Sequence, residues 1–189
     1  MSNPDSGRGP SARAVLLACG ALLAVGAVLR AVPCGNDFWM DEIWTYVLVR
    51  DLESATGVFT ELHHSNSHHL NTLFFYWLGD RESWAIYRVP SLLCGVGTVV
   101  VAIALAWRRS RTQAWIAAVL FSFCFALIQF SSEARGYAPG VFFCLLALLC
   151  LEADFASPRR WRPPAFGVCV VLAFLSQLTS LFFFAGAGL

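Results

Sequence analysis

What most limits this chain is a series of long stretches without a charged residue. Residues 89–107, within "RVPSLLCGVGTVVVAIALAW", hold no Asp, Glu, Lys or Arg, and residues 14–29, 114–130, 137–151 and 165–189 repeat the pattern. Such runs are close to the ~20 residues that a helix needs to cross ~30 Å of hydrocarbon. In lipid each can close its backbone hydrogen bonds within itself, which only helices and closed barrels manage. The prediction is an all-α integral membrane protein with about five transmembrane helices. Composition agrees, with 58% hydrophobic and only 13% charged residues, about half the charged share of an ordinary soluble domain.

Residues 14–29 also suit a signal peptide with Arg8 and Arg13 as its basic region. The apolar stretches that follow, and the lack of a clean small-x-small site before "CGNDF", favour a span. Arg30, at its end, is expected to snorkel to the interface. Residues 1–12, "MSNPDSGRGPSA", read as a disordered tail, and residues 13–189 as one membrane region.

Charge placement carries more information than net charge. The net charge of +1, with every basic residue an Arg, gives no nucleic-acid surface. Six of the cysteines lie in apolar runs, where a thiol acts as a small hydrophobe, and no Cys-x-x-Cys pair marks a zinc or redox site. With five crossings, Arg8 and Arg13, "RRSR" (residues 108–111) and "RRWR" (residues 159–162) share one side, the cytoplasmic one by the positive-inside rule. "LNTLFFYWLG", residues 70–79, rises only about 15 Å as a helix, and counting it as a sixth span would turn both later Arg clusters outward. It is therefore expected to be an interfacial helix. The outer side then receives an acidic loop, residues 34–88, and a short one, "SSEARGY", residues 131–137.

Three clusters on that side can carry chemistry. In "DFWMDEIWTY", Asp41 and Glu42 lie among aromatics that would anchor a short helix at headgroup depth. A carboxylate at such a boundary can act as a general base, or it can simply be solvated. "HHSNSHH" places His64 and His68 at i and i+4, the candidate ligands of a divalent metal or else interfacial packing groups. In "SSEARGYAPG", Arg135 offers a forked donor suited to phosphate, Glu133 can hold it, and Tyr137 brings a hydroxyl. The bland alternative there is non-specific contact with lipid headgroups.

Taken in order, "MDEIWTY", "NSHHLNTLFFYWLG", "YRVPSLLCGVGTV" and "SEARGYAPGVFF" resemble the pattern of the GT-C superfamily of lipid-linked-sugar glycosyltransferases, specifically bacterial relatives of dolichyl-phosphate-mannose protein mannosyltransferases. The resemblance covers about residues 12–189. It implies a GT-C-like N-terminal half with interfacial helices in the first outer loop. The reaction it implies moves a sugar from a polyprenyl-phosphate donor to a lipid, glycan or protein acceptor at the outer face of a bacterial plasma membrane. Asp41 would be the catalytic base with Glu42 in support, and Arg135 and Arg88 would hold the donor phosphate. Glu133, Tyr137, His68 and Asn71 would complete the substrate side. No nucleotide cofactor is called for, in keeping with the lack of a P-loop or Rossmann fingerprint. "HHLNTLFF" departs from the Pro-Pro-x-Tyr-Tyr of many relatives, which puts the acceptor side in question. The chain ends inside the apolar run "LFFFAGAGL" and reads as the N-terminal half of a longer enzyme or a shortened relative. The competing class is a non-catalytic membrane protein, a transporter fragment or lipid-binding subunit. A transporter is expected to place ionisable or helix-breaking residues at mid-membrane.

Overall fold

The computed structural model describes residues 11–62 and 68–187, and these are helical with no strand among them. Ten α-helices follow one another: α1 Ala12–Ala31, α2 Met40–Arg50, α3 Gly57–Thr60, α4 His69–Leu78, α5 Trp84–Trp107, α6 Arg111–Phe123, α7 Phe125–Ser132, α8 Tyr137–Ala156, α9 Arg162–Ser176 and α10 Ser180–Gly186. A 3-10 turn, Val32–Gly35, follows α1. Residues 1–10 of the expected tail lie outside the described residues, and helix begins at Ala12, one residue past a capping Ser11. The Ser11 hydroxyl accepts the Ala14 N–H, and Ser110 does the same for Gln113 at the start of α6. Each thereby satisfies one of the orphan donors of a helix start.

Among the described residues, three helices are long and apolar enough to cross a membrane: α1 with its 3-10 extension, α5 and α8. A bent pair, α6 and α7, raises the number to four. The stretch predicted as one span at residues 114–130 is thus broken at Cys124, where the axis turns by 55°. The last predicted span, residues 165–189, is divided by an extended Gln177 into α9 and α10. The run predicted as an interfacial helix at residues 70–79 lies on α4, His69–Leu78, too short to cross.

The break at Cys124 explains a second difference from expectation. Arg30 does not snorkel; its side chain is fully buried. A helix that stops in an apolar setting leaves carbonyls without donors, and Arg30 supplies them. Its Nη2 donates to the Phe121 carbonyl at 2.6 Å, and Nη1 donates to those of Ser122 at 3.1 Å and Gly26 at 2.9 Å. A cation at the C-terminal end of α6 also faces the negative end of its dipole.

Helix packing relies on small residues, as expected where lipid removes most of the hydrophobic drive between helices. Ala114, Ala118, Ala147 and Ala173 are completely buried. A Cβ on Gly95 of α5 would lie 2.0 Å from Ser131 Oγ of α7, so that crossing requires glycine. Large apolar side chains such as Leu17, Phe125 and Phe182, each 76% exposed, turn outward. α8 packs chiefly on α9, and α5 on α6 and α8. At one end of the bundle, Arg108 and Arg109 pair with Glu152 of α8, and Arg162 donates to the Ala153 and Ser157 carbonyls. The acid- and histidine-bearing segments gather at the other end.

Candidate functional site

The site is built on α2. Glu42 stands at the third position of that helix, and its Oε2 accepts the Trp39 N–H at 2.7 Å, one half of a capping box. The same carboxylate receives Arg88 of α5 in a two-pronged pair. Nε lies 2.9 Å from Oε1 and Nη2 lies 2.7 Å from Oε2. Its fourth partner is the Ala134 N–H, at 2.5 Å from Oε1. Glu42 is fully buried and Arg88 is 3% exposed. Arg88 spends its remaining donors on main chain: Nη1 reaches the Pro33, Cys34 and Asn36 carbonyls and Nη2 that of Asp37. A carboxylate has about four lone-pair sites and a guanidinium five N–H donors, so neither group keeps capacity for a ligand. Of the predicted roles, catalytic support for Glu42 and phosphate binding for Arg88 find no free valence in this geometry. What the pair does is tie α2, the turn after α1, the start of α5 and the segment before α8 to one point.

One residue earlier, Asp41 points elsewhere. A helix turns about 100° per residue, so with Glu42 aimed into the bundle Asp41 emerges on its flank. Its Oδ2 lies 2.8 Å from Nη2 of Arg135, with side-chain exposures of 35% and 14%. Arg135 also donates to the Tyr137 hydroxyl at 2.9 Å, stands 3.6 Å from Glu133 and lies over the Tyr137 ring, 4.6 Å from its centroid. Glu133 is steadied in turn by Gln129, one turn back on α7, at 3.0 Å.

Tyr137 connects this group to α4. Its ring meets that of His68 edge-on at 5.0 Å and lies against Phe130 at 4.7 Å. His68 is 6% exposed, and its Nδ1–H donates to the Ser176 carbonyl at 3.0 Å. A carbonyl can only accept, which places the proton of the neutral ring on Nδ1 and the lone pair on Nε2. Burial above all lowers the pKa of His68, and the nearby Arg135 adds to this. The Ser176 carbonyl, Gln177 and Asp41 act in the opposite sense. His68 is therefore neutral near pH 7, with Gln177 close by but Nε2 making no hydrogen bond among the described residues. Asn71, buried on the same helix, donates to the Ala134 carbonyl at 2.6 Å. Ala134 is thus gripped from both sides, by Glu42 and by Asn71.

All eight predicted catalytic and substrate residues thus form one connected network, with Glu42, Arg88 and Asn71 joined to the rest through the Ala134 backbone. Sequence reading missed its supports. Gly136 passes so close to α9 that a Cβ would sit 1.8 Å from the Ser176 oxygen and 2.7 Å from His68 Nδ1. Ser176 contributes through its carbonyl, which no residue-type pattern reveals. Gln129, by contrast, stands four residues before Glu133 in "QFSSE", and that i, i+4 spacing was a readable signal. As for the metal pair, His64 lies outside the described residues. Among those described, no three His, Cys, Asp or Glu side chains assemble as a ligand set.

Beside Tyr137 the surface opens into an apolar groove of about 240 Å³ between α8 and α10, lined among others by Phe130, Gly140, Cys144 and Phe183. The arrangement can hold an anion at Arg135, an apolar chain alongside it and a proton acceptor at Asp41. No known protein family matches the chain, and neither any curated protein nor any solved structure shows significant similarity to it.

Proposed function

We propose that the chain is a membrane glycosyltransferase of the GT-C type, moving a sugar from a polyprenyl-phosphate donor to an acceptor. The observation that carries this reading is Tyr137, which lines an apolar groove and accepts a hydrogen bond from Arg135, itself paired with the part-exposed carboxylate of Asp41. Such a place suits an amphiphile with an anionic head. The isoprenoid lies in the groove and the phosphate takes the Arg135 donors now held by Asp41. A guanidinium binds phosphate in the same forked manner as carboxylate, so the exchange costs little and frees Asp41.

The acceptor hydroxyl oxygen then attacks the anomeric carbon, the bond from that carbon to the phosphate oxygen breaks, and Asp41 takes the hydroxyl proton. Polyprenyl phosphate leaves with its added negative charge facing Arg135, which stabilises the transition state as that charge develops. Glu42 and Arg88 act as positioning residues, holding Asp41 and the Ala134–Arg135 segment in register. In this reading the chain crosses a bacterial plasma membrane five times, with its N-terminus and Arg clusters in the cytoplasm and Asp41 outside. The Arg-rich end seen at Arg108, Arg109 and Arg162 agrees with that orientation.

The test is transfer of a labelled sugar from polyprenyl phosphate in membranes containing the protein. Asp41→Asn should insert normally and lose about 10²–10⁴ of the rate, the usual worth of a general base. Full activity in that variant removes Asp41 from the role.

A second reading, a lipid carrier or lipid-binding subunit without catalysis, draws support from the broken helix at Cys124 and the Arg30 buried against it, features that transporters place within the membrane. It expects lipid movement that depends on Arg30 and no cleavage of the sugar-phosphate bond.

A further inference from the structure

On the flank of α2 away from Asp41, a cleft of about 470 Å³ opens between α2 and α4. Tyr46, Val49, Arg50, Phe75, Tyr76 and Asp80 form most of its wall. That volume falls within the ~300–1,000 Å³ of small-molecule sites. Its aromatic wall is fixed by packing rather than free to collapse. Phe75 is 1% exposed, and the Tyr46 ring makes edge contacts with Phe38 at 6.5 Å, Trp84 at 5.6 Å and Tyr87 at 6.0 Å.

The polar groups are set at the rim. The Tyr46 hydroxyl donates to Asp80 Oδ1 at 2.5 Å, and the Arg50 guanidinium stands 5.7 Å from the centre of the Tyr46 ring. The hydrogen bond to Asp80 raises the Tyr46 pKa above that of an ordinary phenol, so the hydroxyl keeps its proton. One carboxylate and one guanidinium leave the lining without net charge. Asp80 offers acceptors and Arg50 a fork of donors, while Tyr46 and Tyr76 offer aromatic surface. Adjacent hydroxyls on a C–H-rich ring match this combination: the polar edge meets the charged pair and the apolar face meets the aromatics.

The cleft also faces away from the apolar side of its helix. Met40, Ile43, Trp44 and Val47 form the exposed apolar stripe of α2. At 100° per residue, Tyr46, Val49 and Arg50 are centred roughly a third of a turn from it. A ligand arriving from water suits that placement better than a lipid headgroup.

We propose that this cleft binds a neutral sugar residue. The proposal stands apart from the transfer reading, and its test measures binding alone, so either can fail without the other. If both hold, the cleft anchors part of a glycan acceptor at a distance from Asp41.

The experiment is saturation-transfer NMR on the protein in nanodiscs, with the methyl glycosides of glucose, galactose, mannose and N-acetylglucosamine as probes. At least one should receive saturation at its ring C–H protons. Its affinity should fall tenfold or more in Tyr76→Ala and in Asp80→Asn. The second change is exposed and nearly isosteric, and an unaltered thermal transition would show that the fold is kept. Absence of binding by all four glycosides overturns the proposal, as does binding undiminished in both variants. Phosphoethanolamine binding in place of the sugars, with its ammonium over the tyrosine rings, would also overturn it.

Discussion

Glu42 and Asp41 are neighbours in sequence, carry the same charge and each pair with an arginine, yet they sit in opposite circumstances. Glu42 and Arg88 are buried, and their hydrogen-bonding capacity is used up within the fold. Asp41 and Arg135 meet at the edge, a third and a seventh exposed. Burying an ion pair costs several kcal/mol of desolvation per ion, which only full hydrogen bonding offsets. An exposed pair is worth about 1 kcal/mol or less and can change partner. The lesson is that in this chain a carboxylate's freedom to change partner runs opposite to the strength with which it is held.

The widest separation between the two pairs should appear in stability. Arg88→Ala leaves the Glu42 carboxylate buried without its cation, an error that typically costs ~3–5 kcal/mol. We expect the variant to lose its cooperative thermal transition in detergent, whereas Arg135→Ala should retain it with a shift corresponding to ~1 kcal/mol or less. Equal losses in the two variants would erase the distinction between a holding pair and a working pair.

How much of this was legible in the sequence depends on the kind of interaction. The α1, α5 and α8 helices follow from uncharged length alone, and α4 was recognised as too short to cross. Asp41, Glu133, Arg135 and Tyr137 could be picked out because charge at the end of an apolar run is expensive and needs a reason. The division of labour between Asp41 and Glu42 was not legible, since it rests on which way one helix faces and on a backbone N–H from Ala134, far away in sequence. Nor was the break at Cys124: it lies in "FSFCFALIQF", which has neither Gly nor Pro, and its stabilising partner Arg30 belongs to another helix. Arg30 at the end of an apolar run looks the same whether it reaches water or caps a neighbour.

A smaller effect concerns the histidine on the Asp41 side. His68 has a lowered pKa in the folded chain, so below the ordinary histidine value of about 6.5 the unfolded chain binds more protons than the folded one. Stability contributed by neutral His68 is therefore present above that pH and is lost as the pH falls through it. Thermal unfolding between pH 8 and pH 5 should show this decline, and His68→Gln should flatten it. A wild-type transition that does not move with pH would mean that the α4–α9 junction does not depend on a neutral ring.

The central claim is that Arg135 is shared between Asp41 and a ligand phosphate, and the affinity of Asp41→Asn for polyprenyl phosphate in nanodiscs tests it most directly. Removing the competing carboxylate should tighten binding a few-fold, in line with the ~1 kcal/mol of an exposed ion pair, in the same variant that loses sugar transfer. Unchanged or weaker binding, with transfer intact, would contradict the account.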